Sequence, residues 1–114
     1  MPDTFIKLPN PKYPERSSFV ATAYFRGSDD SATAPTTVDY RIDDPKTKTN
    51  ITPWTSVSAA ASVSITVKAS DNRMISSNNR YELRQLTVSA DRGTTTETRD
   101  SVTWKVINNR GFDE

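Results

Sequence analysis

The stretch TVDYRID, residues 37–43, decides the fold class. Val38, Tyr40 and Ile42 share one phase of a two-residue period, and Thr37, Asp39, Arg41 and Asp43 share the other. Successive side chains of a strand point to opposite faces, so this pattern gives one buried face and one wet face. Asp44-Pro45 stops the run, because proline has no amide hydrogen to give a ladder. Further along, residues 62–69 alternate in the same way. There Val63, Ile65, Val67 and Ala69 oppose Ser62, Ser64, Thr66 and Lys68.

Working outward, residues 19–26 place Phe19, Ala21, Ala23 and Phe25 on one face. A turn-rich loop follows at 27–31 and closes at Pro35. Residues 51–57 form a shorter strand carrying Trp54, and Pro53 marks that strand as an edge. The polar stretch 70–80 is a long loop with Met74 and Ile75 as an apolar plug beneath it. Residues 81–90 are the next strand. Its apolar phase slips between Leu83 and Leu86, which predicts a β-bulge near Arg84 and Gln85. Asp91-Arg92-Gly93 makes a turn, and residues 101–107 finish the pattern with Val102, Trp104 and Val106 inward. No window of useful length shows helical spacing. The expected fold is all-β, an antiparallel two-sheet sandwich of about six to seven strands. Alternation does not decide closure, so a barrel is the alternative.

Residues 1–17 read differently. Pro2, Pro9, Pro11 and Pro14 exclude a helix or a central strand, while Phe5, Ile6, Leu8 and Tyr13 need something to pack on. The reading is an extended N-terminal arm over 1–17, a sandwich over 18–108 and a short polar tail over 109–114. The arm either covers an open sheet edge of its own domain or reaches a neighbouring subunit by strand addition. On the second reading, deleting residues 1–16 leaves a folded domain that no longer assembles.

A chain of 114 residues fits one domain. Fifteen basic against fourteen acidic residues leave a formal charge of +1, so no global field draws nucleic acid or an anionic membrane. With no cysteine there are no disulfides or thiolate sites, and with no histidine the commonest general base and transition-metal ligand are missing. The lack of disulfides leans towards synthesis in a reducing cytoplasm. Residues 1–8 do not read as a signal peptide, and no stretch approaches the ~20 apolar residues that span a bilayer.

Two resemblances bear on function. The run YELRQLTVSA at 81–90, followed by Gly93, resembles the sixth strand of fibronectin type III-like domains: a tyrosine opens it, alternating apolar residues follow, and alanine and a glycine turn end it. The run VDYRI at 38–42 is similar to that family's third strand. The chain departs from the pattern by one extra residue in the sixth strand and by having no tryptophan in the second. The resemblance spans roughly residues 18–108 and implies an immunoglobulin-like sandwich. The whole chain also resembles in style the short, cysteine-free, Ser/Thr-rich immunoglobulin-like accessory proteins of tailed-bacteriophage virions. That likeness implies a structural role on the capsid, neck or tail, in several symmetric copies, with the protein located in the virion and made in the host bacterial cytoplasm.

Candidate chemistry is sparse. Asp29-Asp30 and Asp43-Asp44 could gather calcium, but adjacent loop aspartates are more often turn formers and no D-x-D-x-D-G loop is present. No G-x-S-x-G elbow or glycine-rich phosphate loop exists. Arg73, Arg80, Arg84, Arg92 and Arg99 could line an anion-binding edge, but Glu82, Asp91, Glu97 and Asp100 balance them into a solvated face. Asn50-Ile51-Thr52 is a glycosylation sequon with Pro53 directly after it. Trp104 is in phase with the core, whereas Trp54 is the candidate exposed anchor. The expected function is therefore non-catalytic protein binding, with no cofactor and no metal, through Phe5, Ile6, Leu8, Tyr13 and Trp54. A binding module for a surface glycan or host receptor is the alternative.

Overall fold

The computed structural model describes residues 3–27, 31–75, 80–95 and 97–108. The Asp29-Asp30 pair and the 109–114 tail lie outside them. The described chain is all-β apart from one short 3-10 helix, Ala69–Asn72. Its strands are β1 (Asp3–Lys7), β2 (Lys12–Pro14), β3 (Phe19–Arg26), β4 (Val38–Asp44), β5 (Thr49–Val57), β6 (Ser62–Val67), β7 (Tyr81–Ala90) and β8 (Thr98–Ile107). They form two sheets, ordered β1-β3-β6 and β2-β8-β7-β4-β5. No helix among the described residues is long and apolar enough to cross a membrane.

The two sheets enclose one core in a sandwich-like arrangement. The inward phase of β3 supplies Phe19, Ala21, Ala23 and Phe25, and that of β6 supplies Val63, Ile65 and Val67. From the longer sheet come Val38, Ile42, Leu86, Val88, Ala90, Trp104 and Val106. Burying each large aliphatic side chain contributes about 1.5–3 kcal/mol. At one end of the core Tyr13 stacks on Phe19 at 4.0 Å, and Phe19 meets Trp104 edge-on at 5.2 Å. Trp104 Nε1 donates to Asn72 Oδ1 at 2.8 Å, while Asn72 Nδ2 donates to the Ser17 carbonyl at 2.6 Å. A buried indole N–H thus has its partner, and that partner fastens the 3-10 helix to the β2–β3 connection.

Residues 3–14, expected as an arm, run as outer strands of both sheets. β1 pairs antiparallel with β3, and β2 pairs parallel with β8. The switch falls between them, where Pro9 and Pro11 lack the amide hydrogens that would continue the first ladder. The parallel β2–β8 pair departs from the expected all-antiparallel pairing. Once the chain has crossed between sheets, it runs alongside β8 in the same direction, with the Lys105 amide donating to the Pro11 carbonyl and the Glu15 amide to the Ile107 carbonyl.

The expected bulge at Arg84 and Gln85 does not occur. The β7–β8 register runs without a break from Tyr81 opposite Ile107 to Ala90 opposite Thr98. The inward phase of β7 is instead Glu82, Arg84, Leu86, Val88 and Ala90, so two charged residues occupy core positions. Arg84 was expected on a solvated basic face, yet none of its surface is exposed. Its Nη2 donates to Glu82 Oε1 at 2.7 Å and to the Arg73 carbonyl at 2.6 Å. Its Nη1 donates to the Leu83 carbonyl at 2.8 Å and to Asp44 Oδ2 at 3.3 Å. Glu82 Oε1 also accepts the Ile75 amide. Opposite the start of β7 therefore lies the loop after the 3-10 helix, and charge-assisted bonds engage both terminal nitrogens of Arg84, while its Nε is buried without a hydrogen-bond partner. Met74 packs against the core there, while Ile75 is exposed.

Candidate functional site

The register shifts among the described residues fall in the β4–β5 pair. Tyr40 faces Thr55, Ile42 faces Thr52 and Asp43 faces Asn50, so β5 carries extra residues against β4. Pro53 and Trp54 lie in the first irregularity. A bulge re-aims a side chain, and here the strand is an edge, where a missing proline N–H breaks no second ladder. Trp54 consequently lies across the outer face of the five-stranded sheet, half-buried.

Strand register assembles what surrounds it. Arg99 of β8 faces Ser89 of β7, Ser89 faces Asp39 of β4, and Asp39 faces Ser56 of β5. Arg41 lies two residues along on β4. The guanidinium of Arg92, from the β7–β8 turn, is 4.7 Å from the Trp54 ring centroid; those of Arg99 and Arg41 are 5.1 and 5.6 Å away. Cations over an indole face are attracted by its quadrupole.

Each arginine also has a carboxylate. Arg41 forks onto Asp43 through Nε and Nη2, both at 2.8 Å, and this pairing raises its pKa. Arg92 Nε is 3.6 Å from Asp39, whose other oxygen accepts the Ser56 hydroxyl at 2.5 Å. Arg99 donates to Glu97 Oε2, which also accepts the Ser89 hydroxyl. The Ser89 bond first, and then the Arg99 bond, hold the Glu97 carboxyl down at about 2. Although both point outward in phase, Ser89 and Asp39 are buried beneath this layer. Three guanidiniums, three carboxylates and an indole thus form one interlocked, charge-balanced platform. It presents guanidinium N–H donors packed about an indole, side-chain types enriched at protein interfaces.

The turn is tied through Asp91 to the segment that precedes β4 in sequence. Asp91, at φ +55°, accepts the Thr36 and Thr37 amides on Oδ1 at 2.8 and 3.1 Å, and Gly93 sits at φ +84°. Arg92 between them is therefore presented from a fixed backbone.

Of the expected protein-binding residues Phe5, Ile6, Leu8, Tyr13 and Trp54, only Trp54 belongs to this platform. Ile6 and Tyr13 are in the core and Leu8 packs against it. Phe5 lies on the other sheet, stacked on Tyr24 at 5.1 Å with the Arg26 guanidinium 5.1 Å from its ring. Asp43 and Asp44 are engaged by protein: Asp43 by Arg41 and the Asn50 amide, Asp44 by Arg84 and the Lys46 and Thr47 amides. The side-chain amide of Asn50, the sequon residue, donates to the Ile42 and Thr52 carbonyls as well as to Asp43. Sequence reasoning missed Arg41 and placed Arg92 and Arg99 only on a diffuse face. The usable signal was the outward phase of Arg41 in TVDYRID, next to an edge tryptophan. No protein-family model, curated protein or solved structure matches this chain.

Proposed function

We propose that this chain is a non-catalytic, immunoglobulin-like accessory subunit of a tailed-phage virion, and that it binds a capsid, neck or tail protein through the Trp54 platform. The observation that carries the binding half is the Trp54–Arg41–Arg92–Arg99 cluster. Tryptophan and arginine are the side chains most enriched at interface hot spots, and here they are pre-ordered by their own ion pairs. Strand order supports the immunoglobulin-like assignment. Immunoglobulin-like sandwiches put strands A, B and E in one sheet and C, F and G in the other. Here β1-β3-β6 sits against a sheet containing β4, β7 and β8, with β5 added beside β4 and the first strand divided between the sheets. The virion setting is supported by the likeness of the sequence to small phage accessory proteins.

The same platform disfavours glycan stacking. A sugar needs an open aromatic face, and three guanidiniums already lie within 5.6 Å of the Trp54 centroid.

The test is mass spectrometry of purified particles made from the genome that encodes the chain, carrying either the wild type or the double variant Trp54→Ala/Arg92→Ala. The chain should be a stoichiometric component, and the folded double variant should fall to below about a tenth of wild-type occupancy, which from near saturation takes about a 100-fold loss of affinity, ~2.7 kcal/mol, within the range of hot-spot removal. Absence of the wild type from the particles would overturn the virion assignment. Full occupancy by the variant would overturn the platform as the docking face.

A further inference from the structure

Two sheets have four edges, and three of them are blunted. The open side of β1 is met by β8: the Ile6 amide donates to Asp100 Oδ2 at 3.0 Å, and Thr4 Oγ1 bonds Thr98 Oγ1 at 2.6 Å. β2 is three residues long and ends in Pro14. β5 carries Pro53 and two register shifts. These are devices by which proteins prevent edge-to-edge pairing. β6 has none of them. Its sequence SVSITV contains no charge, proline or glycine, its register with β3 is regular, and among the described residues it pairs only with β3.

Ladder phase shows which groups face the open side. The Phe25 amide donates to the Ala61 carbonyl at 2.9 Å. In an antiparallel ladder the hydrogen-bonded pairs recur at every second residue, so Val63, Ile65 and Val67 exchange their bonds with Ala23, Ala21 and Phe19. The N–H and C=O groups of Ser62, Ser64 and Thr66 therefore point away from the sheet, and their side chains are exposed.

We propose that β6 is the docking edge for a second copy of this chain, the two β6 strands pairing antiparallel about a two-fold axis at Ser64. In that register Ser64 meets Ser64 of the second copy and Ser62 meets its Thr66, so the three outward-facing residues of each strand supply about six backbone hydrogen bonds. Val63 then falls opposite Ile65 of the second copy on the core side, a cross-strand β-branched pair. The solvent side becomes a ladder of serine and threonine hydroxyls. The segment is thus complementary to itself, and because it carries no charge no like charges meet across the axis. A symmetric contact of this kind closes after two copies. It lies on the opposite sheet from Trp54 and is independent of the platform.

Sedimentation equilibrium of the full chain, from about 5 µM to 1 mM, reads the proposal directly through mass action. The mass should rise from the monomer value of 12.7 kDa towards twice that value. Ser64→Lys puts two ammonium groups across the axis. Ser64→Pro removes an N–H that serves only the open edge, so the internal ladder is kept. Each should weaken self-association at least ~10-fold while the circular dichroism stays that of wild type, and salt should partly restore the lysine variant alone. A monomer throughout the range would overturn the proposal, as would a dimer that both variants leave intact.

Discussion

Arg84 and Glu97 show how charge is used at the scale of single residues. Arg84 is enclosed with Glu82 and Asp44 at less than a tenth exposure each. Desolvating such a group is costly, and its mutual attraction with two carboxylates offsets that cost only while all members are present. Arg84→Met should therefore lower the unfolding free energy by about 3–5 kcal/mol in urea titration, because two carboxylates then lose their buried guanidinium. Replacing all three, as Glu82→Met/Arg84→Met/Asp44→Asn, should recover most of the loss. A single variant within about 1 kcal/mol of wild type would show that the trio contributes little to stability. Glu97 behaves differently because it is at the surface. Its pKa is depressed from 4.5 to about 2, so folding favours its ionised form. That contribution is complete above about pH 4.5 and is lost as the pH falls through about 2. NMR titration of the Glu97 carboxyl should give a midpoint near 2 in the folded protein, and Ser89→Ala should move it up towards 4.5.

At the scale of elements, β1 and β2 change what a truncation does. They bring Ile6 and Tyr13 into the core and supply one edge of each sheet. Deleting residues 1–16 removes the Tyr13 stack on Phe19 and strips β3 of a neighbour, so the truncated chain should lose most of its stability and show a broad thermal transition. A sharp transition within a few degrees of wild type would mean that these strands are dispensable. This reverses the expectation of an intact domain, and the reason is physical. Prolines at 9, 11 and 14 exclude a central strand but not two short edge strands with a crossing between them. Where turn residues close a strand-forming run, the strand bounds were legible: β3 at Phe19–Arg26, followed by Gly27, and β7 at Tyr81–Ala90, followed by Asp91, coincide with the expected spans. The supposed bulge in β7 came from treating apolarity as the sole sign of an inward position, which Glu82 and Arg84 violate. Trp54 was legible because proline marks an edge. Its arginines were not, because their meeting depends on the register of four adjacent strands and on a bulge, neither of which alternation encodes.

For the whole molecule, the order in which contacts can form follows from which pairings are local. Among the described residues β7–β8 is the longest hairpin, ten residues against ten across the connection 91–97. Its loop is short, so its entropy of closure is small. β2 against β8 joins residues 12–14 to 105–107, and β1 is hydrogen-bonded from Thr98 and Asp100, so both need nearly the whole chain in place. Such topology puts refolding in the millisecond-to-second range. It also predicts that the hairpin belongs to the transition state and that β1 joins later. Gly93→Ala forces an L-residue to φ +84° and should cost about 1–2 kcal/mol, expressed mainly as slower refolding. Ile6→Ala removes a core side chain that docks after the barrier, so it should mainly speed unfolding. Stopped-flow chevrons of the two variants separate the cases. If the slopes of blame were reversed, with Ile6→Ala slowing folding and Gly93→Ala hastening unfolding, the nucleus would instead be the closure of the two sheets around β1, and the long-range contacts would lead the short ones.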